Sequence, residues 1–368
     1  MRITYSSNKF IVYNCLFLYN FLMNKKTINI KDIAQKTGFS TATVSRVMNH
    51  PEKVNSKTRE KVLESMSENG YLPNNLARGL ILGKTHTISL LVPDIEHTFY
   101  QMILSGVETI AMDKKYNVFL CNTHGNSTKE YEYIEMALNK GVDGLILATS
   151  SLKSNQTKIL DNYSIPFVHI GQKSLFGCNR RCYIDYCKDA AKLTNHLLSM
   201  GHDDIALILN SESSEMAEQI ADGYSSALGK SPAELKNRIF SCDNSVEGGY
   251  NTINKLLNEK NLSKAVIAAT DSQAFGILKA AKENNLNIPD DMALACMTDS
   301  PICSLVSPPL TCIASPSKRL GMVAARLLFD SISDNSADSF EQQDVILQST
   351  LKIRNSCGNK KNIYELYE

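Results

Sequence analysis

The segment Ile30–Asn49 restricts the fold of this chain more than any other part, because it encodes two short helices around one glycine. Gly38 supplies the conformationally permissive turn between them. Ser40 is a suitable N-cap for the second helix. Apolar residues recur at helical spacing on the inner face of that helix, namely Val44, Val47 and Met48. We therefore predict a compact helix pair in which one face of the second helix is buried.

The outer face of the second helix is small, polar and singly cationic. It carries Thr41, Ala42, Ser45, Arg46 and Asn49. A helix, a glycine turn and a second helix with such a face are typical of the DNA-binding helix-turn-helix, whose second helix enters the major groove. The alternative is an ordinary pair of packed helices, which does not need this small polar face.

Charge is distributed unevenly along the chain. The net charge is +1 overall. Residues 1–23 carry +2, residues 24–86 hold 11 basic and 5 acidic residues and so carry +6, and residues 87–368 carry −7. A basic head on an acidic body indicates that the head meets a polyanion and the body does not.

A third helix is predicted after the pair. Asn55 is suited to cap its start, and Gly70 lies where a helix C-cap belongs. Its inward positions are expected to be Val62, Leu63 and Met66. The next stretch opens with Pro73, and we predict a linker from there to His86 with some helical tendency over residues 75–80.

From Thr87 onward, apolar β runs alternate with helical segments. The predicted strands are Ile88–Pro93, Val118–Asn122, Gly144–Ala148, Phe167–Ile170, Ile205–Leu209, Ala265–Ala269, Ala293–Met297 and Thr311–Ala314. The predicted helices include Phe99–Lys114, Lys129–Lys140, Ala190–Met200, Gly249–Glu259 and Ala274–Asn284. Such an alternation indicates parallel sheets covered on both faces. The strands are too many for one sheet, so we expect two α/β lobes with a ligand cleft between them.

Enzymatic motifs and cofactor sites are not supported. Gly79–Thr85 resembles a phosphate-binding loop but has one residue too few between its glycines. No G-x-G-x-x-G follows a strand, and no nucleophile elbow or zinc-protease motif is present. Ten cysteines form no C-x-x-C pair, and the group Cys178, Cys182 and Cys187 has spacings unlike those of zinc sites. We expect buried thiols in a reducing cytoplasm and no cofactor or metal.

The two ends of the chain need separate interpretation. Phe10–Met23 is apolar but too short to span a bilayer, and it is interrupted by Asn14 and Asn20. We expect residues 1–22 to be a non-native or disordered extension with Met23 as the true start, and a membrane anchor is the minor alternative. The stretch after Asn355 is too short for a heptad run, which predicts a dimer and not a coiled-coil tetramer.

Taken together, these residues resemble the lactose-repressor/galactose-repressor family of bacterial transcription regulators. The resemblance runs from about Thr27 to about Asn355. Its most specific matches are the runs Ile30–Ala34, Thr43–Asn49, Val54–Arg59, Gly70–Tyr71, Pro73–Asn74, Ala77–Leu80, Val92–Ile95, Val142–Ile146, Gly201–His202 and Pro308–Thr311.

The resemblance implies a small all-α helix-turn-helix head joined by a hinge to an α/β core of two Rossmann-like lobes, similar to periplasmic binding proteins. On this chain the head is residues 23–72, the hinge 73–86, the core 87–357 and the tail 358–368. The family further implies a cytoplasmic homodimer without a membrane segment. Its partners are double-stranded DNA with a palindromic operator and a small-molecule effector.

The resemblance also implies which residues contact DNA. Thr41 and Ala42 would choose bases, Arg46 would contact a base edge or a phosphate, and Leu80 would enter the minor groove as an apolar wedge. The full expected set is Thr27, Ile28, Ser40, Thr41, Ala42, Thr43, Ser45, Arg46, Asn49, Asn74, Ala77 and Leu80. The hinge segment Asn75–Leu80 would become helical only on DNA, and Gly79 inside it costs about 1 kcal/mol relative to alanine.

The effector site departs from the family pattern. The expected set is Phe99, Tyr100, Thr149, Glu218, Thr270 and Thr298. The family commonly has Arg where this chain has Glu218, Asn where it has Thr270, Asp where it has Thr298, and Asp where it has Gly171. Glutamate in place of arginine removes the cation that would bind an anionic effector in the family's usual way. The remaining alternatives are a cationic ligand, a neutral ligand or no ligand at all. Phe99 and Tyr100 either stack on a ligand ring or belong to the core.

The leading interpretation is a sequence-specific DNA-binding regulator, a repressor in the family's usual mode, whose operator affinity depends on a small molecule bound between the lobes. A periplasmic-type solute-binding protein would share the core but lack the basic head. A Rossmann-like enzyme would need a phosphate-binding fingerprint that is not found. A regulator controlled by a partner protein, without a small-molecule effector, is a further alternative.

Overall fold

The structure is a computed structural model. It describes residues 28–71, 84–148, 159–160, 163, 165–172, 180–210, 215–333 and 343–359. The chain divides into two compact units, with the boundary between Thr85 and His86. In these ranges no helix has both the length and the apolar character needed to cross a membrane.

The described part of the head contains three α-helices that enclose a small apolar core. They are α1 (Ile30–Thr37), α2 (Thr41–Asn49) and α3 (Ser56–Glu68). Gly38 ends α1 in the left-handed conformation at φ 77°, which a glycine adopts without strain. A capping box that the sequence analysis did not identify starts α1: Asn29 accepts from the backbone of Asp32, whose carboxylate accepts from the Asn29 backbone.

The core of the head agrees with the sequence periodicity at all but one position. Its buried members are Ile33, Ala34, Val44, Val47, Val62 and Met66. The prediction that Leu63 points inward is wrong, because its side chain is 49% exposed. The turn of α3 places Val62 and Met66 on the inner face, four residues apart, and leaves Leu63 on the flank.

The first lobe of the larger unit is a six-stranded parallel sheet. Its strands are β1 (Thr87–Val92), β2 (Asn117–Asn122), β3 (Gly144–Leu147), β4 (Phe167–Ile170), β5 (Arg180–Ile184) and β11 (Gln343–Leu347), in the spatial order β11-β5-β4-β3-β1-β2. Its helices are α4 (Thr98–Asp113), α5 (Ser127–Asn139) and α10 (Ser317–Ser333). Helices α4 and α10 cover one face of the sheet and α5 covers the other.

The second lobe repeats this architecture. Its strands are β6 (Ile205–Asn210), β7 (Ile239–Cys242), β8 (Ala265–Ala268), β9 (Ala293–Cys296), β10 (Thr311–Ala314) and β12 (Thr350–Lys352), in the order β12-β10-β9-β8-β6-β7. Its helices are α6 (Tyr186–Ser199), α7 (Glu215–Ala227), α8 (Val246–Asn258) and α9 (Asp271–Glu283). All strands are parallel except β12, which pairs antiparallel with β10 at the sheet edge.

The predicted parallel sheets covered on both faces are confirmed. Every predicted strand is present with its ends within one residue of the expected positions. Four strands and two helices were not among the predicted elements, namely β5, β7, β11, β12, α7 and α10. Two of them, β11 and α10, return to the first lobe after the second lobe has been built. The chain therefore passes between the lobes at Asp185, at Ser315–Pro316 and at Gln348–Ser349.

Helices α4 and α10 approach each other closely through two glycines. A Cβ atom on Gly106 of α4 would overlap the backbone carbonyl oxygen of Lys318, and one on Gly321 of α10 would overlap that of Ile103. Backbone atoms cannot yield as a flexible side chain can, so only glycine permits this separation. The contact fixes the starts of both helices relative to each other.

We expect Gly321→Ala to lower the free energy of unfolding by about 2 kcal/mol or more, because the new methyl group forces the two helix backbones apart. Denaturant unfolding followed by circular dichroism measures this change. Glu108→Ala, an exposed change on α4, is the control and should shift the unfolding free energy by less than about 0.5 kcal/mol. Equal stability of Gly321→Ala and the wild type would show that the helices do not pack as described.

Candidate DNA-reading face and effector cavity

Helix α2 is started and oriented by Ser40. The Ser40 hydroxyl accepts a hydrogen bond from the backbone N–H of Thr43 at 3.1 Å, which confirms the predicted N-cap. The two hydroxyl oxygens of Ser40 and Thr43 lie 2.9 Å apart and share a second hydrogen bond. The first turn of the helix is therefore held by Ser40 and Thr43, which both belong to the expected DNA-binding set.

The outer face of α2 is exposed where the sequence predicts it. Thr41, Ala42 and Arg46 are exposed, and Ser45 is half-buried. Val44 and Val47 point into the core. Arg46 forms no ion pair with any described side chain, so its guanidinium is available to an external anion.

Of the remaining residues of the expected DNA-binding set, only Ile28 has a described side chain. Ile28 packs against the head core with its partly buried side chain. Asn49 ends α2, but its side chain is outside the described part of the chain. The residues Thr27, Asn74, Ala77 and Leu80 also lie outside the described residues.

A cavity of about 470 Å³ lies between the two lobes of the core. The first lobe contributes the starts of α4 and α10, and the second lobe contributes the start of α9 and the segments that follow β9, β10 and β12. The segments after β9 and β10 follow carboxyl ends of parallel strands, where ligand clefts of α/β folds lie, whereas β12 is antiparallel and contributes from the sheet edge. The volume suits a small organic molecule.

Two residues of the expected effector set line this cavity, Phe99 and Thr298. Tyr100 is absent from the lining and instead makes an edge-to-face contact with Phe99, the ring centroids being 5.1 Å apart. Glu218 lies on the exposed face of α7, outside the lining. Thr149 is outside the described residues.

Thr270 caps helix α9 and does not line the cavity, whereas the next residue, Asp271, does. It is fully buried and caps α9, accepting from the Gln273 backbone and donating to the Asn244 side-chain oxygen at 2.7 Å. Asp271, the next residue, lines the cavity. The Thr298 hydroxyl accepts from the Asp271 backbone N–H at 2.8 Å and so links the end of β9 to the start of α9.

A buried ion pair in the cavity wall was not predicted from the sequence. Arg354 donates to both carboxylate oxygens of Asp299, at 2.8 and 3.0 Å, and also to the Leu310 carbonyl oxygen at 2.7 Å. The two side chains are only 10% and 9% exposed. A bidentate arginine–carboxylate pair with this extra acceptor fixes both groups in one orientation.

Cationic side chains dominate the rest of the charged lining. Lys318 and Arg319 come from the start of α10 in the first lobe, and Lys352 comes from β12 in the second lobe. None of the three forms an ion pair with a described side chain. Because Arg354 is neutralised by Asp299, the remaining charge of the described lining residues is three cations against Asp271.

His97 caps α4 at the mouth of the cavity. Its Nδ1 accepts a hydrogen bond from the backbone N–H of Phe99 at 3.2 Å, which requires the neutral ring. Burial lowers the pKa of His97, while the nearby carboxylates of Asp271 and Asp94 act in the opposite direction.

The chain matches two family models. Residues 29–74 match the bacterial regulatory proteins of the lacI family, and residues 85–355 match the periplasmic binding proteins and sugar-binding domain of the LacI family. The chain belongs to the LacI family. It is therefore a transcriptional regulator with a DNA-binding head and an effector-binding core, and members of this family are regulators and not enzymes.

Individual relatives extend the LacI-family match over most of the chain. The HTH-type transcriptional regulator RegA of Clostridium saccharobutylicum is 32% identical over 89% of this chain and 98% of that protein. A ribose-bound LacI-family regulator structure from Enterococcus faecium is 29% identical over 73% of this chain and 98% of that one, with a TM-score of 0.65. The lac repressor dimer bound to operator shares the fold, with a TM-score of 0.79 at 22% identity over 90% of this chain and 99% of that one.

We expect the stability of the core to fall as pH drops below about 6.5, the ordinary histidine value. With its pKa lowered, folded His97 binds fewer protons than it does in the unfolded chain. Its contribution is complete above the unfolded pKa and is lost as pH falls toward the lowered folded value. Denaturant unfolding at about pH 7.5 and about pH 5.5 measures the loss.

His97→Asn separates this effect from other titrations, because asparagine is an equally good N-cap that does not titrate. It should make the loss of stability on acidification smaller, although burial also lowers the pKa of His196 and leaves a residual loss. His124→Asn changes an exposed histidine and should leave the pH dependence as in the wild type. An unchanged pH dependence in His97→Asn would contradict the assignment.

Proposed function

We propose that this LacI-family chain is a dimeric, sequence-specific repressor whose operator affinity changes when a small molecule binds between the lobes of its core. One observation carries the proposal: a single cavity is walled by both lobes at the carboxyl ends of their strands. A ligand that contacts both walls favours the closed arrangement over the open one. Such a differential affinity is what a ligand needs to shift a conformational equilibrium.

The connections between the lobes support this mechanism. They are the short segments at Asp185, Ser315–Pro316 and Gln348–Ser349, and each joins elements of different lobes. Rotation of one lobe on the other needs backbone changes at these places alone, as in hinge closure of other two-lobed binding proteins. The hinge at residues 73–86 would pass the change to the head in this proposal.

On the DNA side, α2 would lie in the major groove with Thr41 and Ala42 at base edges. Arg46 would bind a base or a phosphate, and Leu80 would insert into the minor groove. The capped first turn of α2 supports this arrangement, because it holds the reading residues on a fixed backbone. A two-fold dimer would read two half-sites, so the operator should be an approximate palindrome.

The charge of the cavity supports an effector with an anionic group beside hydroxyls. Glu218, on which a neutral or cationic ligand was expected, lies outside the lining, and three cations without ion pairs lie inside it. Phe99 offers an aromatic ring to an apolar face of the ligand, and Asp271 offers a hydroxyl acceptor. A phosphorylated or carboxylated sugar has this combination of groups.

We expect operator selection to enrich palindromic duplexes. Protein starting at Met23 is mixed with random duplexes, and the bound pool is sequenced. Arg46→Ala should then weaken binding to the selected site about tenfold or more, since a base or phosphate contact is worth about 1–3 kcal/mol. Arg59→Ala removes the same charge from the exposed face of α3 and should weaken binding less. Only salt-sensitive binding without enrichment would overturn the proposal.

We expect anionic sugars to bind the core at least about tenfold more tightly than their neutral parents, because a charge-assisted hydrogen bond contributes about 1.5–3 kcal/mol. Calorimetry with paired sugars and sugar phosphates measures the ratio. Lys352→Met should reduce the preference, because it leaves only Lys318 and Arg319 in the lining, and Lys140→Met, an exposed change at the end of α5, should leave it unchanged. Equal binding of both partners of each pair, or tighter binding of an amino sugar, would contradict this ligand class.

A further inference from the structure

Metal-ligating side chains of the second lobe gather directly beside the effector cavity. A carboxylate oxygen of Asp299 and the sulfur atoms of Cys303 and Cys312 all lie within 4.8 Å of one another. Both cysteines are fully buried and free. No other group of three or more such side chains in the described part of the chain is this close.

The connection from β9 to β10 builds this cluster. Asp299 follows the end of β9, Cys303 lies in the short 3₁₀ turn Pro301–Ser304, and Cys312 lies within β10. The backbone carbonyl of Cys303 accepts from the Leu310 N–H at 2.8 Å, which ties the turn to the start of β10. Cys296, the last residue of β9, is paired with Cys312 in the ladder between the two strands.

The chemistry of the donors selects a type of metal ion. Thiolate sulfur favours soft and borderline ions such as Zn²⁺ over Mg²⁺ or Ca²⁺, which require oxygen ligands. With both thiols ionised, the cluster and the adjacent Arg354 guanidinium together carry a net charge of −2. A divalent ion neutralises that charge within the buried site. A single thiol or a pair of uncharged thiols would carry no such excess charge and would need no ion.

We propose that Asp299, Cys303 and Cys312 form a site for a thiophilic divalent cation of the zinc type. A tetrahedral zinc ion with bonds of about 2.3 Å places its sulfur ligands about 3.8 Å apart. Because the three ligand atoms lie within 4.8 Å of one another, they need to contract by no more than about 1 Å when the ion binds. A water molecule entering from the cavity supplies the fourth ligand.

The surroundings of the cluster meet the other requirements of a metal site. Arg354 donates to the Asp299 carboxylate, and the Ser300 hydroxyl lies 3.7 Å from the Cys303 sulfur. Such outer contacts orient the ligands of metal sites. Asp299 and Ser300 also line the effector cavity, so an ion reaches the cluster from solvent by that route.

The competing interpretation is that the three thiols are small apolar residues of the core. Cys296, Cys303 and Cys312 do belong to the apolar cluster between β9, β10 and α9. That interpretation accounts for the burial of the sulfurs and leaves the Asp299 carboxylate to its ion pair with Arg354, whereas a metal site also gives a role to the position of the carboxylate beside two sulfurs. The two interpretations differ in whether the reduced protein binds a stoichiometric ion.

Metal binding by the full chain tests the proposal without reference to DNA. Reduced protein is freed of metal with a chelator and titrated with Zn²⁺ in competition with a chromogenic indicator. It is also titrated with Cd²⁺, whose thiolate complexes absorb in the ultraviolet. We expect one ion per chain, a thiolate absorption band with Cd²⁺, and a rise in the unfolding temperature with Zn²⁺.

Variants identify the ligands. Cys303→Ser and Cys312→Ser should each weaken Zn²⁺ binding at least about a hundredfold, and Asp299→Asn at least about tenfold. Cys187→Ser removes a partly exposed thiol of α6 and should bind as the wild type does. Unfolding of each metal-free variant shows whether it is folded, and Cys303→Ser is the least disruptive because its turn lies outside the sheet.

Absence of a stoichiometric ion in the folded, reduced wild type would overturn the proposal. So would Zn²⁺ binding that survives both Cys303→Ser and Cys312→Ser, because the ion would then be held elsewhere. Neither result bears on operator binding, which is measured separately.

Discussion

The close contact between α4 and α10 is the constraint on which the effector cavity depends. Each helix presents its first turn to the cavity, and the two glycines Gly106 and Gly321 set the distance between them. Helix α10 reaches this position only after the chain has built five strands of the second lobe. The first lobe is therefore completed by a late, non-local segment, and its cavity wall is covalently tied to the lobe opposite. Any movement of that lobe acts on α10 through the two-residue connection Ser315–Pro316.

The sequence predicted the parts of the fold that are governed by continuous burial. Central parallel strands such as β8 and β9 are buried on both faces, so they are apolar throughout and easy to identify. Strand β5 opens with Arg180 and Arg181, and its neighbour β11 at the sheet edge is half polar. The two strands pair in a parallel backbone ladder, and the bidentate contact of Arg181 with Asp344 crosses it between residues far apart in sequence. Such a pairing has no local pattern, and β5 and β11 were missed for that reason.

The candidate site was only half predictable for the same reason. The face of α2 follows from helical periodicity, which is local. The cavity is made by chain segments that meet only in three dimensions. The family pattern identified Phe99 and Thr298 as lining residues, but it did not identify Arg354, which lies 55 residues from its partner Asp299. Thr270 and Asp271 are adjacent in sequence, yet one is a buried helix cap and the other faces the ligand space. A family pattern predicts the position of a site residue to within about one residue. Whether that residue lines the cavity or caps a helix depends on the direction of its side chain.

The distribution of charge across the cleft gives a physical reason for closure to depend on a ligand. Lys318 and Arg319 belong to the first lobe and Lys352 to the second, so closure brings like charges toward one another. Across a solvated gap such repulsion amounts to about 1 kcal/mol or less for each close pair. An anion held between the walls turns this repulsion into attraction on both sides, and each 1.4 kcal/mol or so changes the ratio of closed to open forms about tenfold. In the function proposed above, loss of the anion restores this repulsion, and the charge of the ligand would act on the conformation of the core in this way.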